Sequence, residues 1–264
     1  MNKKPKVVIL CGGTGMRLKE ETEYRPKPMV EIGDRPILWH IMKIYAHYNF
    51  NDFILCLGYK GKVIKEYFLN YEIMNNDFNI ELGNSKNIKI YNNNSEQNWN
   101  VTLADTGENA MTGARVKRVE KYVDGDTFML TYGDGVADIN IQELLEFHYA
   151  HGKIGTLTGI YPPSRFGELL VEKNKVLSFS EKPEVHSGLI SGGFFVFKRK
   201  FFDYLWSKED CILEKKPLEH LTRDGELMVY HHKGFWQCMD TYRDYLLLND
   251  IWNKGNTPWK IWEG

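Results

Sequence analysis

Short apolar runs alternate along the first half of the chain with segments whose apolar residues recur at helical spacing. The runs KVVILC, DFILCLGY and NVTLADTG are rich in strand-forming residues, whereas ILWHIMKIYAHY and VIKEYFLNYEIM have helical periodicity. A regular alternation of this kind is typical of a parallel sheet covered by helices. The pattern therefore predicts an α/β protein with a Rossmann-like, mixed but mainly parallel sheet flanked by helices.

The alternation continues through the second half. It predicts strands at TFMLTYGD, TLTGIYP, SGGFFVF and LMVYHH, helices at RVKRVEKYV, IQELLEFHYAHG, LEHLTRDG and YRDYLLLNDIWNKG, and a hairpin turning at residues 173–175. The asparagine-rich residues 74–100 are predicted to leave the sheet as an excursion. With no repeat or linker, we expect one domain over residues 1–264. Its C-terminal helix and tail, about 241–264, should dock on the body or on another subunit through Trp259 and Trp262.

Charge and cysteine usage narrow the possible partners. The 34 Lys and Arg nearly cancel the 35 Asp and Glu, and no basic run suits a nucleic acid. The apolar runs are too short to span a bilayer and no signal-peptide pattern begins the chain, so we expect a cytoplasmic protein without a membrane partner. The four widely spaced cysteines should be reduced thiols. The two histidine pairs lack a third ligand at metal-site spacing, so zinc is not expected.

Three glycines follow the first predicted strand directly. Gly12, Gly13 and Gly15 can adopt positive φ angles and bring backbone N–H groups close to an anion. The loop therefore suits phosphate, although a tightly packed turn without a ligand gives the same pattern. A Walker A motif needs Lys-Ser/Thr after its last glycine, and a dinucleotide fingerprint needs a third glycine where this chain has Leu18. Both of those motifs are disfavoured.

Two cations follow the glycine loop. Arg17 is near enough to bind phosphate oxygens with its guanidinium, although a solvated arginine at a helix start fits equally well. Lys27 lies between Pro26 and Pro28, which bias it toward an extended conformation and aim its side chain. The sequence therefore favours Lys27 as a functional cation and leaves both interpretations of Arg17 open.

Two aspartates could supply hard oxygen ligands. Asp134 ends the predicted strand TFMLTYGD, at the edge where α/β sheets bind ligands, although Asp-Gly is also a common turn. Asp240 precedes the last predicted helix, where an N-cap fits equally well. Because Mg²⁺ on a nucleotide usually takes one or two carboxylates, the pair is a candidate Mg²⁺ site if the fold brings the two together.

Further candidates lie in the second half of the chain. Glu181 and Lys182 suit sugar hydroxyls and a sugar phosphate, or form a surface charge pair. Gly192 and Gly193 enter a predicted buried strand, which suits close backbone approach to a ligand or marks a bulge.

Long stretches of sequence match one family. They are KPMVEIGDRPILWHIMKIYAHY, GYKGKVIKEYF, VTLADTGENAMTGARVKRV, LTYGDGVAD, SEKP, GGFFVF, GFWQCMDTYRDY and PWKIW. On them the chain resembles the sugar-phosphate nucleotidyltransferases, and among these the glucose-1-phosphate cytidylyltransferases. The resemblance implies a Rossmann-like sheet and a Mg²⁺-dependent reaction of CTP with α-D-glucose 1-phosphate that gives CDP-glucose and pyrophosphate. It also implies a homo-oligomer, expected to be a hexamer, in which the excursion reaches toward a neighbour.

The resemblance also implies residue roles. It makes Arg17 and Lys27 the catalytic cations on the phosphates, and Asp134 and Asp240 the metal ligands. It assigns the sugar phosphate to Glu181 and Lys182, with Gly192 and Gly193 beside the sugar. The nucleotide contacts that it implies are Gly12, Gly13, Thr14, Gly15, Asp105, Thr106, Gly107, Arg115 and Gly133.

Two positions depart from the family pattern. Met16 replaces the usual threonine of G-G-x-G-T-R, so a hydroxyl contact to the triphosphate is missing or comes from Thr14. Ser191 replaces the usual asparagine of N-G-G-F-F, which leaves the sugar open. Another nucleotide or another sugar 1-phosphate therefore stays an alternative substrate. A nucleotide-sugar sensor without turnover is the non-enzyme alternative, and a dinucleotide oxidoreductase comes third.

Overall fold

A computed structural model describes residues 4–83, 87–91, 96, 98–162, 168–172, 175–180 and 188–263. These residues form eight α-helices: α1 (Lys19–Thr22), α2 (Ile37–His47), α3 (Gly61–Leu69), α4 (Tyr71–Met74), α5 (Thr112–Arg118), α6 (Ile141–His151), α7 (Lys216–Arg223) and α8 (Tyr242–Asn253). They also form fifteen strands: β1 (Lys6–Cys11), β2 (Glu31–Ile32), β3 (Arg35–Pro36), β4 (Asp52–Leu57), β5 (Asp77–Ile80), β6 (Ile88–Tyr91), β7 (Asn100–Asp105), β8 (Thr127–Tyr132), β9 (Gly135–Ala137), β10 (Gly155–Ile160), β11 (Glu168–Glu172), β12 (Lys175–Ser180), β13 (Ile190–Lys198), β14 (Leu227–His232) and β15 (Trp236–Cys238).

Seven of these strands form the main sheet, in the order β14-β10-β13-β8-β1-β4-β7. Every neighbouring pair is parallel except the two pairs that include β13, which runs against its neighbours β10 and β8. The predicted mixed, mainly parallel α/β sheet is therefore confirmed. The hairpin predicted near residue 173 is formed by β11 and β12, but its turn, residues 173–174, lies outside the described residues.

Two apolar cores cover the two faces of the sheet. Because successive side chains of a strand point to opposite faces, Val7 and Ile9 of β1 join one core and Val8 and Leu10 join the other. The first core is completed by α2, α6 and α8, and the second by α5, α7 and the 3-10 helix Arg199–Tyr204. The sheet is thus buried on both faces, which leaves its edges and strand ends for chemistry.

The excursion predicted after residue 74 forms a hairpin of its own. Strands β5 and β6 pair only with each other among the described strands, as a separate two-stranded sheet. Phe78 and Ile80 of this hairpin are exposed, and so are Leu82 at its turn and Leu69 at the end of α3. This region therefore presents apolar side chains to solvent instead of to its own core.

The C-terminal tail packs on the body of its own chain. Trp259 is fully buried and Trp262 nearly so, in the core that contains α2 and α8. The ring of His40 on α2 contacts the rings of both tryptophans and that of Trp252 at edge or tilted angles. The tail is therefore fixed around one buried imidazole.

The four cysteines carry free thiols, as their spacing predicted. No helix within the described residues is both long enough and apolar enough to cross a membrane.

The stability of this core should depend on the protonation of His40. Burial lowers the pKa of His40 to about 4, against weaker opposing effects of the Ile32 backbone, Asp34 and the Arg35 backbone, while the positive charge of Arg35 adds only a small decrease. Because the imidazole is neutral in the fold but protonates near pH 6.5 once unfolded, its contribution is complete above pH 6.5. It is lost as the pH falls toward 4. We expect about 3 kcal/mol of unfolding free energy to be lost between pH 7 and pH 4 through this group.

Denaturant unfolding measured across that pH range tests the prediction. His40→Asn, which does not titrate, should start from lower stability but show a flatter dependence on pH than the wild type. Parallel pH profiles for the two proteins would contradict the role of His40.

Candidate functional site

The glycine loop follows β1 at the carboxyl edge of the sheet, and its three positions differ in whether the structure requires glycine there. Gly15 has φ +65°, and its carbonyl accepts hydrogen bonds from the Leu18 N–H at 2.9 Å and the Thr22 hydroxyl at 3.1 Å. A Cβ on Gly12 would lie 2.3 Å from the Arg115 guanidinium, whereas one on Gly13 would meet nothing within 4 Å. The loop thus needs glycine for its backbone at residue 15 and for close packing at residue 12.

Lys27 joins the two predicted metal ligands. Its Nζ lies 2.6 Å from Oδ2 of Asp134 and 2.5 Å from Oδ1 of Asp240. Arg17, whose side chain is largely exposed, contacts the same Asp240 oxygen through Nη2 at 3.1 Å. Residues more than a hundred positions apart therefore meet in one cluster, which the sequence alone did not show.

The prolines around Lys27 act differently from the prediction. Pro26 is extended, with φ −70° and ψ 152°, but Lys27 itself begins the 3-10 helix Lys27–Met29, so its expected extended conformation is wrong. Hydrogen bonds from Met29 N to Pro26 O and from Val30 N to Lys27 O close two successive turns. Pro28 fits the first turn because no N–H is needed there. The turn, not an extended backbone, aims the lysine.

The cluster changes the proton affinity of its members. Burial lowers the pKa of Lys27, but its contacts with Asp134 and Asp240 outweigh burial and hold that pKa above its ordinary value. Burial raises the pKa of Asp240, yet Lys27 and Arg17 bring it below the ordinary range. Both groups are therefore charged at neutral pH.

The carboxylate pair fits a divalent cation. Asp134 and Asp240 already hold one cationic group, the Lys27 ammonium, between them, and carboxylate oxygens are the ligands that Mg²⁺ prefers. Within the described part of the chain, no three or more His, Cys, Asp and Glu side chains are grouped to hold a metal ion. A cation on this pair would take its remaining ligands from phosphates and water, as Mg²⁺ on a nucleotide does.

A cavity of about 410 Å³, here called the nucleotide-side cavity, opens over the glycine loop. Its wall contains ten of the predicted site residues: Gly12, Gly13, Thr14, Gly15, Arg17, Lys27, Arg115, Gly133, Asp134 and Asp240. Met16, which departs from the family pattern, also lines it and is largely exposed. The fold thus brings most of the predicted nucleotide side into one space.

Three predicted nucleotide contacts lie elsewhere. Asp105 accepts the Gly107 N–H and lines a neighbouring cavity, beyond the wall of the nucleotide-side cavity. Thr106 is buried and donates its hydroxyl to the Leu57 carbonyl at 2.6 Å. Gly107, with φ +87°, turns its carbonyl toward Arg115. Direct contact of these three with a nucleotide stays a prediction that this geometry does not favour.

Arg115 connects the loops that follow three neighbouring strands. Its guanidinium donates to the carbonyls of Gly12, Leu57, Gly107 and Glu108 at 2.6 to 3.1 Å and to the Thr106 hydroxyl at 3.0 Å. Gly58 must also be small, because a Cβ there would lie 2.3 Å from the same guanidinium. Arg115 thus fixes the shape of the loops, and its contact with a nucleotide stays a prediction.

Replacing Arg115 with methionine should therefore lower the free energy of unfolding by about 3 kcal/mol, since several buried carbonyls lose their donor. Denaturant unfolding measures this loss. Arg223→Met is the control: that side chain is mostly exposed, so the change should cost less than about 0.5 kcal/mol. A similarly small loss in Arg115→Met would contradict its role in fixing the loops.

A second cavity, of about 260 Å³, adjoins the first and is here called the sugar-side cavity. It shares Arg17, Tyr132, Asp134 and Asp240 with the nucleotide-side cavity and adds Ser191, Gly192, Gly193 and Trp236. The two candidate sugar-binding glycines thus lie beside the predicted metal ligands. Glu181 and Lys182 fall outside the described residues.

The Gly192–Gly193 pair forms a bulge, as one of its two interpretations predicted, and the other, close approach to a ligand, stays a prediction. The register between β10 and β13 shifts here, so the glycines mark a bulge and also line the cavity. Gly193 has φ +80°, and a Cβ on it would lie 2.5 Å from the Tyr132 ring. The Trp236 indole N–H donates to the Gly192 carbonyl at 2.7 Å, which holds the bulge open toward the cavity.

Sequence reasoning missed several residues that line these cavities. Tyr132 lies two residues before Asp134, and Trp236 lies four residues before Asp240. Met111 and Thr112 lie at the start of α5. They lie within the stretches that match the family and near predicted site residues, but neither signal singles them out, and aromatic residues at strand ends are ordinarily part of a core.

The chain is similar to known proteins in sequence and in fold. The chain matches the nucleotidyl transferase family over residues 6–253. It is 50% identical over 259 residues to the glucose-1-phosphate cytidylyltransferases of Salmonella typhi and Salmonella typhimurium, covering 98% of this chain and 100% of each relative. Among solved structures, HddC from Yersinia pseudotuberculosis has a TM-score of 0.67 at 23% identity over 94% of this chain and 100% of that one, which shows a shared fold.

Proposed function

The chain belongs to the nucleotidyl transferase family, and we propose that it transfers the cytidylyl group of CTP to α-D-glucose 1-phosphate, giving CDP-glucose and pyrophosphate. The observation that carries the choice of substrates is 50% identity over nearly the full length of glucose-1-phosphate cytidylyltransferases. The clustering of Lys27, Arg17, Asp134 and Asp240 beside the glycine loop supports the same chemistry.

In this reaction a phosphate oxygen of the sugar 1-phosphate attacks the α-phosphorus of CTP in line with the departing pyrophosphate. No side chain is needed as a nucleophile, because phosphoryl-type transfer depends mainly on positioning and charge stabilisation. The glycine loop brings its backbone N–H groups to the phosphates, and Arg17 and Lys27 hold their oxygens. The Gly192–Gly193 bulge lines the same cavity as the two carboxylates, so in this proposal its backbone would lie beside the sugar.

Family members generally use a divalent metal, and we propose Mg²⁺ held by Asp134 and Asp240. Bound there, the ion would neutralise charge on the phosphates. Lys27 would then be released from the carboxylates and could pair with phosphate oxygens instead.

The departures at Met16 and Ser191 keep another nucleotide or another sugar 1-phosphate as the second candidate. Pyrophosphate release should be measured with Mg²⁺ and α-D-glucose 1-phosphate against CTP, UTP, ATP, GTP and dTTP separately. We expect release mainly with CTP. Release mainly with another nucleotide would replace the cytidylyl assignment, and nucleotide binding without any release would indicate a sensor.

We further propose that the chain acts as a homo-oligomer, with a hexamer as the expected state. The exposed apolar side chains of the β5–β6 hairpin and of α3 support this, because such a surface is costly in water. Light scattering on the purified chain should give the mass of six copies, and the mass of one copy would contradict the proposal. The cytoplasmic location stays a prediction.

A further inference from the structure

Glu214 joins two side chains that line the cavities, although it is absent from both cavity walls. Its Oε1 accepts a hydrogen bond from the Tyr132 hydroxyl at 2.6 Å, and its Oε2 accepts one from the Thr112 hydroxyl at 2.7 Å. Tyr132 ends strand β8, and Thr112 begins helix α5. One carboxylate thus connects two elements that are far apart in the sequence.

Tyr132 lies on the boundary between the two cavities. Its side chain lines both, and it stands two residues before Asp134. The ring fills the space where a Cβ of Gly193 would lie and contacts Phe195 edge-on with centroids 5.9 Å apart. A shift of this ring would therefore change the space available beside the sugar-side glycines.

Thr112 lies on the nucleotide side, where the segment 209–214 holds the start of α5. The Leu213 N–H donates to the Thr112 hydroxyl oxygen at 3.0 Å, so the hydroxyl hydrogen is left for Glu214. The Met111 N–H donates to the Glu209 carbonyl at 2.9 Å. A shift of this segment would move the wall formed by Met111 and Thr112.

We propose that Glu214 is a positioning residue for nucleotidyl transfer. By bonding both Thr112 and Tyr132, it fixes the position of the nucleotide-side wall relative to the boundary between the two cavities. The proposal rests on the proposed function, because it assumes that both cavities are filled in one reaction. Glu214 is itself exposed, so its hydrogen bonds are expected to fix geometry more than to stabilise the fold.

Steady-state kinetics of Glu214→Ala and Glu214→Gln test the proposal. In Glu214→Ala we expect the KM values for CTP and for glucose 1-phosphate each to rise about 3- to 10-fold, the range expected for losing a charge-assisted hydrogen bond, with a smaller change in kcat. Glu214→Gln keeps an acceptor for Tyr132 but not a second one for Thr112, so it should recover mainly the KM for glucose 1-phosphate. The thermal unfolding midpoint should stay within about 2 °C of the wild type.

Two further variants test the contacts of Glu214 with Tyr132 and with Thr112 separately. Tyr132→Phe should raise mainly the KM for the sugar phosphate, and Thr112→Val mainly the KM for CTP. When either variant is combined with Glu214→Ala, the KM values should rise little further, because the hydrogen bond that the second substitution removes is already lost. Full additivity would overturn the positioning role.

Unchanged KM values in Glu214→Ala would also overturn the proposal. A loss of activity that follows a falling unfolding midpoint, without recovery in Glu214→Gln, would mean a purely structural role. Calorimetric binding of CTP to the wild type and to Glu214→Ala gives a second readout. If the wild type releases no pyrophosphate, the proposed function fails, while a 3- to 10-fold weaker CTP affinity in the variant would still support the positioning role of Glu214.

Discussion

Replacing Lys27 with alanine is expected to lower turnover by about 10²- to 10³-fold in a protein that still folds, by analogy with the loss of one preorganised donor at a developing charge. The Lys27 ammonium is the group that holds Asp134 and Asp240 together, and its side chain is only 12% exposed. Without it, the two carboxylates lose their shared cation, and the phosphates lose a positioned charge. Steady-state pyrophosphate release at saturating substrates measures the effect.

Two companion variants make this result interpretable. Lys27→Met keeps most of the side-chain volume without the charge, so it should lose as much activity as Lys27→Ala if charge is what matters. Lys254→Ala removes a mostly exposed lysine whose partner is Asp250, and turnover should not change. Near-normal turnover in a folded Lys27→Met protein would remove Lys27 from the catalytic residues.

Much of the fold could be predicted because the central strands β1, β4 and β8 are buried on both faces and form continuous apolar runs. The run KVVILC forms β1 (Lys6–Cys11), and the strands β4, β7, β8 and β14 fall within their predicted runs. The helix predicted around RVKRVEKYV differs: α5 begins earlier, at Thr112, and the chain continues after it as the 3-10 helix Glu120–Tyr122. Local periodicity does not show this start, because the Leu213 N–H, far away in the sequence, donates to the Thr112 hydroxyl there.

The site was harder to predict, since its geometry depends on contacts between distant segments. The sequence identified Asp134 and Asp240 separately, but only the fold brings both to the Nζ of Lys27. Arg115 was predicted as a nucleotide contact, yet its guanidinium donors are engaged by backbone carbonyls and the Thr106 hydroxyl, a role with no sequence signature. Local pattern thus predicts which residue types are available, while tertiary contacts decide what each one does.

Replacing either aspartate with asparagine is expected to lower turnover by about 10³-fold, because metal stabilisation of phosphate charge contributes several kcal/mol. Asp240→Asn and Asp134→Asn each remove one carboxylate from the pair, but both leave Lys27 with one ionic partner. The fold should therefore survive. Since the two carboxylates act as a unit, the double variant should lose little more than each single one.

The metal dependence of activity distinguishes a role of Asp240 as a metal ligand from a role as the N-cap of a helix. The Thr241 hydroxyl and Asp244 already form the capping box of α8, so Asp240 is not needed as its N-cap. In Asp240→Asn the Mg²⁺ concentration for half-maximal activity should rise at least about tenfold, whereas chelation of metal from the wild type should abolish activity without changing the unfolding midpoint. Asp250→Asn, at an exposed ion pair, is the control and should change neither. An unchanged Mg²⁺ requirement in Asp240→Asn would show that this carboxylate serves Lys27 and Arg17 instead of the metal, and the required ion would then have to be held by other ligands.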